Sequence, residues 1–303
     1  MPWQTEAWQR LQAQRRADRL PHALLIHGPA GTGKGLLARA LGHSLLCREP
    51  SPQGEPCGRC RDCTLIAAGN HPDLMEVMPE EGSRQIRIDA IRALVEADTL
   101  AVEPGRARIF IVEPAERMGT AAANALLKTL EEPVPGTHML LVSHNPDRLP
   151  ITIRSRCQPL RLPLPAADEA EAWLAEQGVK DAPERLAVTG GAPLAALALD
   201  AEAVAAWAAR RQDLAELAAG RADPLTVAER WEKAADLETL LAELGKQVTT
   251  RLRAHPGSHL APRLFVYLDR VFETRRELTH NPNPRLVLED LLIQWQEITE
   301  GER

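Results

Sequence analysis

Short apolar runs alternate with helical patterns over roughly the first half of the chain, from residue 22 to about residue 162. The segments between the runs repeat apolar residues at the spacing of a helix. The runs cover residues 23–26, 74–77, 109–112 and 139–142. Helical patterns follow the first three at 34–46, 88–98 and 121–131, and a further run after the fourth leads up to residue 162. Strands that alternate with helices of ten or more residues are typical of a parallel sheet covered on both faces. The pattern therefore predicts an α/β domain of the nucleotide-binding type.

The pattern changes after residue 160, where "LRLPLPAADEA" places two prolines in a short connector. Beyond it alanine, leucine, glutamate and arginine dominate, so the remainder is predicted to be helical. A break at "TGGAP" lies inside this part. We expect three domains: a nucleotide-binding-type domain over 1–165 with a cysteine-rich module at 47–63, a three-helix unit over 166–207, and a helical bundle over 208–303.

Composition and charge limit the classes of partner. The chain has 303 residues, of which 44% are hydrophobic and 26% charged, as in ordinary soluble globular proteins. Its net charge of −6 argues against a broad basic surface for nucleic acid, because such binding needs clustered lysine and arginine. We therefore expect any DNA contact to go through a larger assembly. With neither a long apolar run nor a signal-peptide pattern, the sequence predicts a cytoplasmic protein.

The stretch "GPAGTGKG", residues 28–35, fits seven of the eight positions of a phosphate-binding loop. It follows a predicted strand and precedes a predicted helix, so the helix N-terminus would point at bound phosphates. Gly28, Gly31, Gly33 and Lys34 are the candidate phosphate-binding residues. The eighth position, where a hydroxyl normally holds Mg²⁺, is Gly35. Whether such a loop still binds nucleotide stays open at this point.

A second departure follows the apolar run at 109–112. Glu113 stands where many ATPases carry a metal-associated aspartate, and Pro114 stands where they carry the glutamate that activates water. Proline offers no side chain for acid–base chemistry. Because hydrolysis needs a held Mg²⁺ and an oriented water, two separate motifs indicate impaired hydrolysis.

Four of the five cysteines crowd into the cysteine-rich module, at Cys47, Cys57, Cys60 and Cys63. The spacing C-x9-C-x2-C-x2-C can wrap one Zn²⁺ tetrahedrally, because two-residue gaps let a tight turn place neighbouring sulfurs on the same ion. Four thiolates would leave no open coordination position, so such a zinc would be structural. An iron–sulfur cluster and a group of unligated thiols remain alternatives.

The stretch "TIRSRCQPL" carries two arginines, Arg154 and Arg156, beside the last predicted strand of the domain. Charged residues at a domain edge are commonly surface ion-pair partners. The alternative is that one of the two reaches the phosphates held by a neighbouring subunit, as arginine fingers supplied in trans do.

Five stretches, "HGPAGTGKG", "CGRCRDC", "NHPDL", "NALLKTLEEP" and "RSRC", resemble in this order the clamp-loader branch of the AAA+ ATPases. The resemblance implies an α/β AAA+ P-loop domain with a zinc module, a small helical lid and an all-α collar through which subunits assemble. It implies that the four clustered cysteines bind structural Zn²⁺ and that Arg156 acts on ATP held by an adjacent motor subunit. The implied partners are the gamma/tau and delta subunits of bacterial DNA polymerase III, with the sliding clamp and primed DNA reached through the complex.

Motor subunits of this family also carry an arginine in the lid that senses the γ-phosphate. The matching segment here, "GGAPLAAL" at 190–197, has none. Together with Gly35 and Pro114 this favours a non-hydrolysing subunit that lacks ATPase and polymerase activity of its own and serves DNA replication inside the holoenzyme. An active gamma/tau-type motor, with Glu113 in place of aspartate, is the alternative. A stand-alone zinc-containing DNA-binding module is disfavoured by the acidic charge and the 3% aromatic content.

Overall fold

The apolar runs in the first half of the chain are strands of one parallel sheet in the computed structural model, which describes residues 1–80, 82–83, 85–103, 105–280 and 282–299. The sheet has the order β2-β3-β4-β1-β5. Its strands are β1 (Ala23–His27), β2 (Leu74–Val77), β3 (Arg108–Val112), β4 (Thr137–Ser143) and β5 (Gln158–Arg161). The predicted parallel α/β fold is confirmed.

Helices cover both faces of the sheet. They are α1 (Thr5–Arg16), α2 (Lys34–Leu46), α3 (Arg61–Ala67), α4 (Ile88–Asp98), α5 (Thr120–Glu131) and α6 (Ile151–Arg154). Alternate strand residues point to opposite faces, so Leu24 and Ile26 pack with α1 and α2, while Leu25 packs with α4 and α5. Burial on both sides explains why the three central strands, β3, β4 and β1, are mostly buried along their length, whereas the edge strands β2 and β5 include the exposed polar residues Glu76 and Arg161.

The chain divides into two compact units, Met1–Trp173 and Leu174–Arg303. The helix α7 (Ala167–Glu176) contains the boundary between them. The three-domain division that the sequence predicts, with boundaries at 165 and 207, stays a prediction. Residues 281 and 300–303 of its last domain lie outside the described residues.

Within the part of the chain described, the second unit is built from helices: α8 (Ala182–Thr189), α9 (Pro193–Ala198), α10 (Ala201–Ala218), α11 (Pro224–Ala234), α12 (Leu237–Ala254), α13 (Ala261–Arg276) and α14 (Pro284–Thr299), with a 3-10 turn at Glu277–His280. Its core contains the buried rings of Trp231, Tyr267 and Trp295. The Tyr267 hydroxyl donates to the Leu291 carbonyl at 2.9 Å, and the Trp295 indole donates to the Leu214 carbonyl at 2.9 Å. Both polar tips are therefore satisfied inside an apolar core.

Aspartate N-caps begin three successive helices of this unit. The carboxylates of Asp200, Asp223 and Asp236 each accept a hydrogen bond from the backbone N–H three residues further on, at 2.7 to 3.0 Å. Such a cap satisfies a backbone donor that the helix itself cannot and contributes about 1 kcal/mol. None of the helices in the described ranges is long and apolar enough to span a membrane.

Candidate nucleotide, metal and arginine sites

The phosphate loop lies at the carboxyl end of β1 and leads directly into α2. Its first residue, Gly28, has a φ of 144°, which L side chains rarely adopt. A Cβ atom there would also overlap the carbonyl oxygen of Leu162, which follows β5. Because that obstacle is backbone, position 28 accepts glycine alone, and the sheet needs it whether or not a phosphate binds.

Lys34 is turned onto its own loop. Its side chain is buried, with 2% of the residue exposed, and Nζ donates to the Pro29 carbonyl at 2.5 Å. Burial lowers the pKa of Lys34 to about 8, although the nearby carboxylates of Glu116 and Glu113 oppose the shift. The group that would reach a phosphate thus has an acceptor inside the protein.

The N-terminal segment lies against the same loop, a contact that the hydrophobic pattern did not reveal. The Trp3 indole donates to the Thr32 carbonyl at 2.9 Å, and the Gln4 amide donates to the carbonyls of Thr32 and Gly33, both at 2.9 Å. A side chain at position 33 would overlap those of Met1 and Gln4. The loop is therefore held from outside by polar side chains.

Glu113 occupies the space beside the missing hydroxyl. A Cβ atom on Gly35 would overlap both carboxylate oxygens of Glu113, so the glutamate fills the volume that a serine or threonine would need. The carboxylate is paired with Arg39 at 2.9 Å, and Arg39 also contacts Glu76 at 2.8 Å. A guanidinium thus neutralises the carboxylate that a metal-binding site would offer. Arg39, one turn along α2, was not singled out from the sequence because its role depends on β2 and β3.

Glu116, two residues beyond Pro114, is the next carboxylate at this edge of the sheet. Its Oε1 atom accepts the backbone N–H groups of His144 at 3.0 Å and Asn145 at 3.2 Å. These residues follow β4, so Glu116 joins the ends of two neighbouring strands. Its carboxylate holds backbone in place.

The four sulfur atoms of Cys47, Cys57, Cys60 and Cys63, here called the thiol cluster, all lie within 4.8 Å of one another. Cys47 is separated from Cys60, and Cys57 from Cys63, by 4.0 Å. A tetrahedral site with Zn–S bonds of about 2.3 Å has sulfurs about 3.8 Å apart, so this geometry fits one metal ion.

Backbone N–H groups point at the sulfurs. Cys57 N donates to the Cys47 sulfur at 3.2 Å and Cys60 N to the Cys57 sulfur at 3.3 Å. A hydrogen bond from the backbone of Cys63 is the main cause that lowers the pKa of Cys60 to about 6, whereas burial raises the pKa of Cys63 to about 12. A divalent cation would favour the thiolate form at all four positions.

Arg156 lies between α6 and β5 with 34% of its side chain exposed. Its Nε donates to Glu131 at 2.6 Å, a second nitrogen contacts the same carboxylate, and Nη1 donates to the Thr152 carbonyl at 2.9 Å. Arg154, with 33% of its side chain exposed, pairs with Asp147 at 2.9 Å. Arg156 is therefore held by both the end of α5 and a carbonyl of α6, whereas the ion pair of Arg154 is with Asp147, which lies before α6.

The second unit has an arginine close in sequence to the "GGAPLAAL" segment. Arg185 on α8 pairs with Asp181 at 2.7 Å and also donates to the carbonyls of Ala196 and Leu199. Its donors therefore hold α8 and α9 together.

Strand order, a glycine loop between β1 and α2, and an acidic residue at the end of β3 define the first unit as a P-loop domain of the AAA+ type. The chain belongs to the family described as "DNA polymerase III, delta subunit", whose model matches residues 3–166.

Several curated proteins are similar to this chain. A protein named DNA polymerase III subunit delta' from Pseudomonas aeruginosa is 43% identical over 208 residues, which are 67% of this chain and 62% of that protein. Its namesake from Escherichia coli is 39% identical over 201 residues, 65% of this chain and 60% of that protein. A DNA polymerase III subunit tau/gamma from Haemophilus influenzae is 35% identical over 156 residues, 51% of this chain and 22% of that protein. The match thus spans about six tenths of the length of the two delta' relatives.

Proposed function

We propose that this chain is a non-hydrolysing subunit of a bacterial clamp loader, of the kind its delta' relatives are named for. In this proposal it works in the cytoplasm with gamma/tau and delta subunits to load the sliding clamp on primed DNA. Residues 166–207 would form the lid and 208–303 the collar through which the subunits assemble. Its own chemical contribution would be Arg156, acting in trans on the ATP of a neighbouring motor subunit.

The observation that carries the proposal is the Glu113 carboxylate, which lies against Gly35 and is paired with Arg39. Hydrolysis of ATP needs a cation that bridges the phosphates and a carboxylate free to hold it. Glu113 overlaps the position that a Cβ atom on Gly35 would take, and it is paired with Arg39. Pro114 offers no base, and Oε1 of Glu116 accepts two backbone N–H groups while its Oε2 is buried. These contacts favour a fixed subunit over a motor.

The anchoring of Arg156 supports its assignment as the finger. A finger must place its charge close to the negative charge that develops in the transition state. A guanidinium that is held in position therefore stabilises that state better than a mobile one. Glu131 and the Thr152 carbonyl fix three of its nitrogens, while about a third of the side chain stays exposed.

We further infer that the thiol cluster binds one structural Zn²⁺. All four donors are sulfurs, which Zn²⁺ prefers, and their separations suit a single central ion better than a wider multi-iron cluster. Cys47 is the C-cap residue of α2 and Cys60 is the N-cap residue of α3. Zinc would therefore join two helices and the loop between them.

The finger is tested with Arg156→Ala in a rebuilt complex whose neighbouring motor subunit holds the one functional ATP site. DNA-stimulated hydrolysis should fall about 10³-fold or more, the effect of fingers in other phosphoryl-transfer proteins. Arg154→Ala is the matched control, because it removes an arginine of equal exposure from the same segment. It should keep most of the rate. An unchanged rate in Arg156→Ala, or equal losses in both assembled complexes, would contradict the assignment.

A motor role remains the competing function, favoured by Lys34 and by the similarity to a tau/gamma subunit. Titration of the isolated chain with a fluorescent ATP analogue, followed by an assay of magnesium-dependent hydrolysis, separates the two. A non-hydrolysing subunit gives no magnesium-dependent hydrolysis in this assay. Hydrolysis that Lys34→Ala abolishes would establish the motor role instead.

A further inference from the structure

Asp62 lies on α3 between two members of the thiol cluster, Cys60 and Cys63, yet its side chain is buried and points away from solvent. A buried carboxylate is costly unless it is paired and hydrogen-bonded. It has three partners from three parts of the first unit: Arg48 at 2.7 Å, Arg106 at 2.8 Å and His71 at 3.3 Å.

His71 belongs to the "NHPDL" stretch and has a fixed orientation. Its Nδ1 accepts the backbone N–H of Asp73 at 3.1 Å, so in the neutral ring the proton is on Nε2, which donates to Asp62. Asp73 in turn pairs with Arg108, the first residue of β3, at 3.3 Å. A continuous set of contacts therefore leads from α3 to the sheet.

Arg48 makes a different connection. It follows Cys47 directly, so its bond to Asp62 ties the end of α2 to the helix that carries Cys60 and Cys63. Arg106, just before β3, holds the other oxygen of the same carboxylate. One side chain thus fixes the two pieces of backbone that carry the thiol cluster relative to each other and to the sheet.

We propose that Asp62 is a positioning residue for the metal: by binding Arg48, Arg106 and His71 it holds the sulfurs at the separation that one ion needs. The proposal rests on the proposed zinc site. Side chains that orient metal ligands from behind cost about 10- to 100-fold in metal affinity when they are removed.

The test measures zinc affinity of the full chain by competition with a chromophoric chelator. Asp62→Asn keeps the shape and removes the charge, and we expect affinity to fall about 10- to 100-fold. Glu49→Gln is the matched control, since it removes a carboxylate from the same module. Its ion pair with Arg59 is 3.6 Å long, with side chains 67% and 82% exposed. Its affinity should match that of the unsubstituted chain.

Two further measurements separate positioning from general stabilisation. The cobalt-substituted chain should show the absorption of four thiolate ligands in both the unsubstituted form and Asp62→Asn, with faster metal release in the variant. Relative to the unsubstituted chain, Asp62→Asn should lower the free energy of unfolding by more in the metal-loaded form than in the metal-free form. Equal losses, or an affinity equal to that of Glu49→Gln, would overturn the proposal.

Two other outcomes are covered separately: a variant that does not fold, and an unsubstituted chain that binds no metal. Should Asp62→Asn fail to fold, Arg48→Gln decides, because 54% of that side chain is exposed and its removal leaves the core intact. Its affinity should also fall, and an unchanged value overturns the proposal. If the unsubstituted chain binds neither zinc nor cobalt, the zinc site itself is wrong and the role of Asp62 fails with it.

Discussion

The phosphate loop and the thiol cluster both carry the sequence signature of a ligand site, yet their polar atoms are arranged in opposite ways. In the loop, Lys34 donates to Pro29, and next to the loop Glu113 is paired with Arg39. In the cluster, four sulfurs converge within 4.8 Å and face one another. A motif therefore indicates where a ligand would bind. The contacts of its polar atoms indicate whether protein groups already take the place of that ligand.

The two regions also differ in what glycine does. At Gly28 of the loop a Cβ atom would meet backbone, whereas in the cysteine-rich module a Cβ at Gly58 has nothing within 4 Å and one at Gly54 would meet the Gln12 side chain. The loop keeps its shape for packing reasons that are independent of nucleotide. That explains how a P-loop outline can persist beside Gly35 and Pro114.

The largest expected effect is on the thiol cluster. Cys60→Ser should lose most of its metal, because it removes one of four thiolates and leaves an incomplete site. Elemental analysis should give about one zinc per chain before substitution. Cys157→Ala is the control, since it removes a buried thiol outside the cluster. Iron in place of zinc, or equal metal content in both variants, would contradict the comparison.

The next effect is on the loop. Gly28→Ala should destabilise the first unit by at least about 2 kcal/mol, because the φ is unfavourable and the Leu162 carbonyl cannot move aside. Gly69→Ala is the comparison, at a positive φ of 71° with nothing within 4 Å, and it measures the cost of a positive φ without a close contact. Denaturant unfolding measures both. Equal losses would show that the close approach to Leu162 has no energetic weight.

Sequence reasoning reached the strands, the loop and the thiol cluster because each is written in local spacing. Arg39, Trp3 and Gln4 were missed for the opposite reason. Their contacts join residues separated by 28 to 74 positions, and surface-like polar residues give no local signal of such partners. Gly35 and Pro114 can be read directly from the sequence. The Arg39–Glu113 ion pair beside Gly35 can be found only from the fold.

Because Lys34 carries a buried charge, we expect its replacement by an apolar residue to stabilise the chain by an amount that depends on pH. A lowering of its pKa from 10.5 to about 8 corresponds to about 3 kcal/mol of cost at neutral pH. Lys34→Met should therefore stabilise the chain at pH 7, by about 2 kcal/mol after the lost hydrogen bond to Pro29. Pro29 keeps a hydroxyl donor from Thr32 at 3.0 Å.

The sign of the pH effect follows from proton binding. Below pH 8 the lysine is charged in both states and the cost is complete, whereas between pH 8 and 10.5 the folded chain loses the proton first, so the cost fades. The advantage of Lys34→Met in denaturant unfolding should shrink over that window. Lys128→Met, at an exposed position on α5, should show no such trend. A variant less stable than the parent at pH 7 would contradict the account.

The smallest effect tests the contact between position 35 and Glu113 directly. Gly35→Ser restores the motif in letters, but its Cβ overlaps the Glu113 carboxylate, which must give up its place beside Arg39. We expect a net loss of about 0.5–1 kcal/mol, since serine is the better helix former and recovers part of the cost. With Glu113→Ala in the background the same substitution should become neutral or stabilising, a double-mutant cycle that isolates the overlap. Neither variant should hydrolyse ATP with magnesium. Hydrolysis by Gly35→Ser alone would mean that the Arg39–Glu113 pair yields to a metal ion, and that the loop differs from a working site by one hydroxyl.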